Sequence, residues 1–292
     1  MKLFFAAILL IFPLCAVMAQ DDLMDVVDQE IQGESTYTEQ TFKGTRLING
    51  HSIETRKKGV LDVIIGHRFG RLNSGGYELF GLDDSQVRLG VDYGITDRLN
   101  IGAGRSSFEK TYDGFLKYKL LRQQNSAGRN VPLSVAAFTS IALKTLKSSV
   151  SADEPSFNSR LAYTYQAVLA RKFTPSFSLQ LSPTWVHRNA VLAGQGPNDM
   201  YALGAGGRIK LTKRVSLNGE YYYQFNQPDN TAMQNSVAIG FDIETGGHVF
   251  QLHFTNSRAM IEKGFVSETT GDFFDGDIHF GFNISRVFQL HE

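Results

Sequence analysis

The chain has 292 residues, with 29 Lys plus Arg against 29 Asp plus Glu, so its formal net charge of zero gives no case for a polyanionic partner such as nucleic acid. A single cysteine, Cys15, leaves no disulfide framework and no thiolate metal site. Phe (22) and Tyr (11) are abundant beside one Trp, and the 28 glycines are spread along the chain instead of gathered in linkers.

Met1-Lys2, an apolar run ending at Val17, and the small residues Val17 and Ala19 predict a secretory signal peptide over residues 1–19, cut after Ala19. Phe12-Pro13-Leu14 is a poor box for lipidation at Cys15. No later stretch approaches the ~18 apolar residues of a transmembrane helix. Residues 20–58 read as a separate N-terminal segment. Leu23, Val27 and Ile31 fall at i, i+4 and i+8 and predict a short amphipathic helix. Further on, 41–48 and 51–54 flank Asn49-Gly50, a strong two-residue hairpin signal. These arms are too short and polar to face lipid, which leaves the periplasm or a plug inside a barrel. In a plug, Arg46 and Lys57-Lys58 are expected to meet Asp62, Asp92 or Asp242.

Residues 59–292 repeat one unit, an alternating run of about 9–12 residues and then a break. The length is the one a tilted strand needs to cross a bilayer. In the clearest copy Val87, Leu89, Val91, Tyr93 and Ile95 share one face, with Gln86, Arg88, Gly90, Asp92 and Gly94 on the other. Twelve strands are predicted: 60–69, 86–95, 99–108, 112–121, 131–143, 161–171, 177–188, 201–211, 215–225, 236–243, 249–256 and 278–288. The breaks at 96–98, 172–176, 212–214 and 244–247 are short and rich in turn formers. Those at 70–85, 145–160, 189–200, 226–235 and 258–277 are long. Residues 122–130 and the tight passage 109–111 fit this rhythm least. The fold class is all-β, a transmembrane antiparallel up-and-down β-barrel of about twelve strands, with its ends in the periplasm and its long loops outside.

The wet face supplies the candidate lumen residues Asp62, Arg68, Arg88, Asp92, Lys117, Lys119, Arg208, Glu220 and Asp242, joined by Asp113, Lys210 and His279. Glycines such as Gly66, Gly102, Gly104, Gly204, Gly206, Gly240 and Gly281 leave room around them. Barrels of about eight strands are filled by side chains and those of 16–18 leave a channel, so twelve is compatible with either. An outer-membrane acyl hydrolase needs a histidine within reach of an activated serine. The nearest candidates are His253 with Ser257, or His187 on the lipid face, but no family-type His-x-Ser-Asn-Gly run accompanies them, so an enzyme is not expected. Seven scattered histidines show no ligand spacing, and no cofactor is expected.

Three stretches carry a family resemblance. They are Thr45-Arg46-Leu47-Ile48-Asn49-Gly50-His51-Ser52, Gly59-Val60-Leu61-Asp62 with His67-Arg68-Phe69-Gly70-Arg71-Leu72-Asn73, and Phe80-Gly81-Leu82-Asp83 leading into Arg88-Leu89-Gly90 and continued by Gly104-Arg105-Ser106-Ser107 to Asp113-Gly114-Phe115-Leu116-Lys117-Tyr118-Lys119. They resemble an uncharacterised family of outer-membrane β-barrel proteins of Gram-negative bacteria, named only as a domain of unknown function. The resemblance implies the fold and the outer membrane, and no activity. Phe280, Phe282, Ile284 and Phe288 resemble the C-terminal signal read by the barrel assembly machinery. The expected partners are that machinery, outer-membrane lipid and a small solute, with the barrel a monomer. The expected function is a narrow passive or gated pore; the alternative is a non-conducting barrel acting through its extracellular loops.

Overall fold

The computed structural model describes residues 37–126, 129–147, 155–191, 196–228 and 232–290, and its alternating segments fold into one closed antiparallel sheet. In chain order the strands are β1 (Val60–Arg71), β2 (Ser85–Gly94), β3 (Leu99–Ser106), β4 (Tyr112–Leu121), β5 (Gln124–Ser126), β6 (Arg129–Val131) and β7 (Ser134–Leu143). They continue as β8 (Leu161–Thr174), β9 (Phe177–Arg188), β10 (Asp199–Lys210), β11 (Val215–Gln224), β12 (Ser236–Thr245), β13 (His248–Thr255) and β14 (His279–Gln289). All except β5 and β6 belong to the wall, which has twelve strands as expected. Each wall strand pairs with its neighbours in sequence, and β14 returns to β1 with Val60 opposite Gln289 and Gly66 opposite Asn283. Closure removes both sheet edges, so the ladder satisfies the wall's backbone polar groups, which hydrocarbon surroundings cannot do.

Strand β9 shows why the chain chooses this wall. Ser178, Gln180, Ser182, Thr184, Val186 and Arg188 are buried inside, while Phe177, Leu179, Leu181, Pro183 and Trp185 are exposed on the outer face. The same phase puts Tyr201, Tyr221, Tyr223, Phe241 and Phe254 outside.

Most strand boundaries lie within two residues of the alternation, and the following differences have a local cause or are among the larger ones. The fifth wall strand starts at Ser134, not 131, because Pro132 has no N–H to give a ladder. Val131 instead pairs with Gln124 in the small β5–β6 ribbon, which accounts for the long 122–130 connection. Strand β3 stops at Ser106 because the tight turn that follows holds Glu109 and Lys110 at φ +53° and +50°. Strand β8 runs on to Thr174, and β13 begins at His248 directly after Gly247, whose φ is +110°. The signal peptide and the helix over 23–31 lie outside the described residues.

Two segments enter the lumen. From the end with the short turns, residues 41–54 rise as a hairpin, with the Leu47 N–H donating to the Gly50 carbonyl (2.8 Å) and the Ser52 N–H to the Thr45 carbonyl (3.0 Å). Its turn centres on Ile48-Asn49, one residue before the Asn-Gly signal. Gly50 does not take the positive φ that a type I′ turn requires. From the opposite end, the connection between β13 and β14 folds inward, and its short helix α1 (Glu262–Ser267) is buried along its whole length. The loop rhythm of the sequence places the whole long 258–277 connection outside the barrel, and its α1 part lies inside instead. Phe265 and Val266 sit against Val186, Met200, Ala202, Tyr222 and Met233, an apolar inner surface that gives them a place out of water.

Candidate functional site

The site is the lumen and what fills it. On one side the wall is polar, and it grips the hairpin backbone. Asp92 accepts from the Thr45 hydroxyl (2.7 Å) and from the Arg46 guanidinium (2.9 and 3.3 Å). Glu220 accepts the N–H groups of Asn49 (2.7 Å) and Gly50 (3.2 Å) at the hairpin tip. Arg68 donates to the Asn49 side-chain oxygen at 2.6 Å, and Lys117 donates to the Ser52 carbonyl at 3.2 Å. Nearer the short-turn end, Lys119 lies 3.8 Å from Glu54, Asp62 pairs with Arg56, and Arg208 donates to the Gln40 carbonyl at 3.5 Å. A charge in this partly dehydrated space interacts more strongly than at a surface, although desolvation offsets part of the gain.

Arg88, Asp113, Asp242 and His279 act within the wall, and Lys210 is half-buried near the short-turn end. Arg88 pairs with Asp113. Asp242 accepts from Gln251 at 2.9 Å, and the same Gln251 amide donates to the Leu47 carbonyl at 2.8 Å. His279 meets the Phe69 carbonyl at 2.9 Å and does not reach the hairpin. Lys57 and Lys58 are exposed, and Arg56 takes the role expected of them. Lys43 pairs with Glu244 at 2.5 Å.

Charge was a narrow guide to this lining, because uncharged amides also hold the hairpin. Gln180 donates to the His51 carbonyl (2.8 Å) and Asn283 to the Ile48 carbonyl (3.1 Å). Both occupy the inward phase of their strands, which is the signal that finds them. The room left by the glycines is taken up: Gly104 faces the Arg88 guanidinium, Gly204 the Tyr222 ring and Gly206 the Leu47 side chain. The opposite wall is apolar. Ala136, Val168 and Ala170 pack on Phe42, Leu47 and Ile53 of the hairpin.

The two inserted segments meet above the hairpin. His51 is wedged between Phe115, met edge-on at a centroid distance of 4.4 Å, and Phe138, tilted against it at 4.3 Å. Its Nδ1 is 2.9 Å from Arg46, and its Nε2 lies 3.9 Å from Glu262 of α1. Burial pushes the Glu262 carboxyl up to about 7 against the pull of Arg46 and Arg88, and burial holds the His51 imidazole well below its ordinary range. Lys263 bridges Glu268 (2.6 Å) and Glu109 (3.0 Å), and Lys144 also pairs with Glu109, so the helix is tied to the β3–β4 and β7–β8 connections.

Only about 10 Å³ of open space remains between Arg46, His51, Arg88, Asp113 and Glu262, enough for about one water. Below the hairpin a vestibule of about 700 Å³ opens at the short-turn end, edged by Lys43, Glu54, Arg56, Lys119 and Arg122. Of the hydrolase pair, Ser257 donates to the Ala259 carbonyl at 3.4 Å and both His253 ring nitrogens lack a hydrogen-bond partner, so the two side chains are not brought together.

No curated protein matches the chain. Among solved structures it is similar to the NanC porin at 10% identity and a TM-score of 0.48, over 80% of this chain and 100% of that one. It is also similar to the KdgM porin (10%, 0.45, over 78% and 99%) and to Acinetobacter baumannii Omp33 (9%, 0.41, over 78% and 97%). At these values nothing beyond the barrel is carried over. One family profile covers most of the sequence, residues 42–288, and it takes in the hairpin together with the wall. The chain belongs to the membrane bound beta barrel domain family, DUF5777.

Proposed function

We propose that this protein is an outer-membrane barrel that passes a small polar solute when its N-terminal hairpin leaves the lumen. One observation carries the reading: the wall closes without the hairpin. No residue of 41–54 is a strand of the sheet, and the only bridge within the hairpin joins Arg46 to His51. Removing it opens no edge. On its polar side the departing hairpin gives up hydrogen bonds and ion pairs to side chains that water can solvate in turn. The vacated lining would hold Arg68, Arg88, Lys117, Lys119 and Arg208 beside Asp62, Asp92, Glu220 and Asp242. Such a mixture selects weakly for ion sign. Nothing in this chemistry calls for an enzyme.

Planar-bilayer conductance tests the reading. The full chain is expected to be closed at low voltage, and a variant lacking residues 37–55 is expected to give stable, reproducible steps while remaining a folded barrel. A second reading, a permanently filled scaffold, draws on the apolar packing of Phe42, Leu47 and Ile53 against Ala136, Val168 and Ala170. A folded deletion variant that stays silent across voltage and pH would favour the scaffold and overturn the gated pore.

A further inference from the structure

The outer face of β7, β8 and β9 carries a feature that the lumen does not explain. Along most of the wall the outward positions hold large apolar side chains. Here three adjacent strands place their smallest outward residues side by side. Ala137 stands opposite Ala167, and Pro183 follows on β9, one step from the Gln166–Thr184 pair. Proline has no N–H, and the β8–β9 ladder passes from Gln166 to Leu169 without pairing Ala167 or Val168. The result is a floor three strands wide with nothing rising from it.

An aromatic shelf stands over that floor on the long-loop side. Tyr165 faces Trp185 across the ladder, and Trp185 faces Tyr201. Their rings stack in turn at 5.1 and 6.4 Å, with interplanar angles of 27° and 17°. The shelf is anchored at its polar edge, where the Trp185 indole N–H donates to Asp199 at 2.9 Å and His187 contacts the same carboxylate at 2.8 Å. Shelf and floor border an open groove of about 630 Å³. That volume lies within the ~300–1,000 Å³ of ordinary ligand clefts.

We propose that this groove is a binding site for the acyl chain of a membrane lipid. The groove opens outward from a membrane-bound barrel, so its occupant comes from the hydrocarbon layer. Trp185 is tethered to Asp199 and stacked between Tyr165 and Tyr201, away from the floor, so an empty groove would forfeit the dispersion attraction of its lining. A narrow, flexible hydrocarbon chain recovers it without needing a polar partner. The site is independent of whether the hairpin gates the lumen.

Trp185 is the only tryptophan of the chain and forms a wall of the groove, which supplies the probe. The full-length barrel, purified in detergent and stripped of lipid, is titrated with phosphatidylethanolamine carrying brominated acyl chains, and Trp185 fluorescence is followed. Quenching is expected to saturate near a single lipid per barrel. Ala167→Phe and Ala137→Leu raise the floor with side chains that point into lipid. Both are expected to remove the saturable phase while heat-modifiable migration shows a folded barrel. Non-saturating quenching of the unaltered barrel would overturn the proposal, and that result needs no variant to fold. Saturable quenching unchanged in both variants would overturn it too. So would a dimer that Ala167→Phe converts to a monomer, because the occupant would then be a second copy of the chain.

Discussion

His51 Nε2 lies 3.9 Å from Glu262 Oε1, and through this pair the hairpin from one end of the barrel touches the helix from the other. The groups facing Glu262 are Arg46 and His51 of the hairpin, Arg88 and Asp113 of the wall, and Lys263 of its own helix. Burial raises the carboxyl from an ordinary 4.5 to about 7. Between those values a helix swung out into water releases the proton, while the docked helix keeps it. Docking is therefore strongest below pH 4.5, weakens as pH rises, and reaches its minimum above pH 7. At roughly 1.4 kcal/mol per pH unit the change is on the order of 3 kcal/mol. Hydrogen exchange of the α1 amides, corrected for the intrinsic pH trend, should lose protection between pH 4.5 and 7. Glu262→Gln should shrink that dependence, leaving the same-signed part due to Glu268, whose carboxyl is also raised by burial. Equal protection across the range would refute the role of Glu262.

The Arg46–Asp92 pair should be the strongest single anchor of the hairpin, because both side chains are almost wholly shielded, at 9% and 2% exposure. Asp92→Asn leaves the Arg46 charge buried and unpaired, at a cost of roughly 3–5 kcal/mol. Trypsin should then cut after Arg46 under conditions that leave the unaltered barrel intact. Replacing both residues by apolar ones of similar volume (Arg46→Met with Asp92→Leu) deletes the cleavage site at 46, so it is read at Lys43 of the same hairpin, where it should restore much of the protection that Asp92→Asn loses, because no charge is left stranded. Resistance of Asp92→Asn to trypsin would mean that the apolar side of the hairpin holds it alone.

Gly50 is needed for space. A Cβ placed there would strike the hydroxyl of Tyr222. Gly50→Ala should therefore loosen the hairpin tip and weaken the two backbone N–H bonds to Glu220, with a loss on the order of 1–3 kcal/mol. Tyr222→Phe removes the oxygen and should recover part of that loss in a double-mutant cycle read by chemical denaturation. Independent, additive effects would show that the tip relaxes away from Tyr222.

The wall was legible because period-two alternation acts on every residue of a strand. A one-residue slip would have turned Leu179, Leu181 and Trp185 inward together. Its ends were blurred where one residue decides: Pro132 shortens β7, and Gly247 starts β13 early. The charged lumen residues were legible for the same reason as the wall. The apolar inner sector was not, since Ala136, Val168, Val186 and Met200 look like lipid-facing residues until the phase of their strands is fixed. The inward turn of α1 was hidden for a different reason. Nothing local in Glu262–Ser267 marks it as buried, and its place depends on Tyr222, Met200 and Met233, all at least about 29 positions away in sequence.

Phe288 separates assembly from stability. It stands opposite Leu61 in the β1–β14 seam, one residue from the end of the strand, and its side chain faces outward. A charge on the lipid face costs ~2–4 kcal/mol for Arg or Lys at mid-bilayer and only ~0–1 near the interface, with Asp costing less. Phe288→Asp at the strand end should therefore barely change the stability of a barrel refolded in detergent. If Phe280, Phe282, Ile284 and Phe288 are read by the assembly machinery, the same substitution should sharply lower the amount of heat-modifiable barrel in cells. Parallel losses in cells and in detergent would instead show that Phe288 packs the closing seam. Unchanged amounts in both would remove Phe288 from any assembly signal.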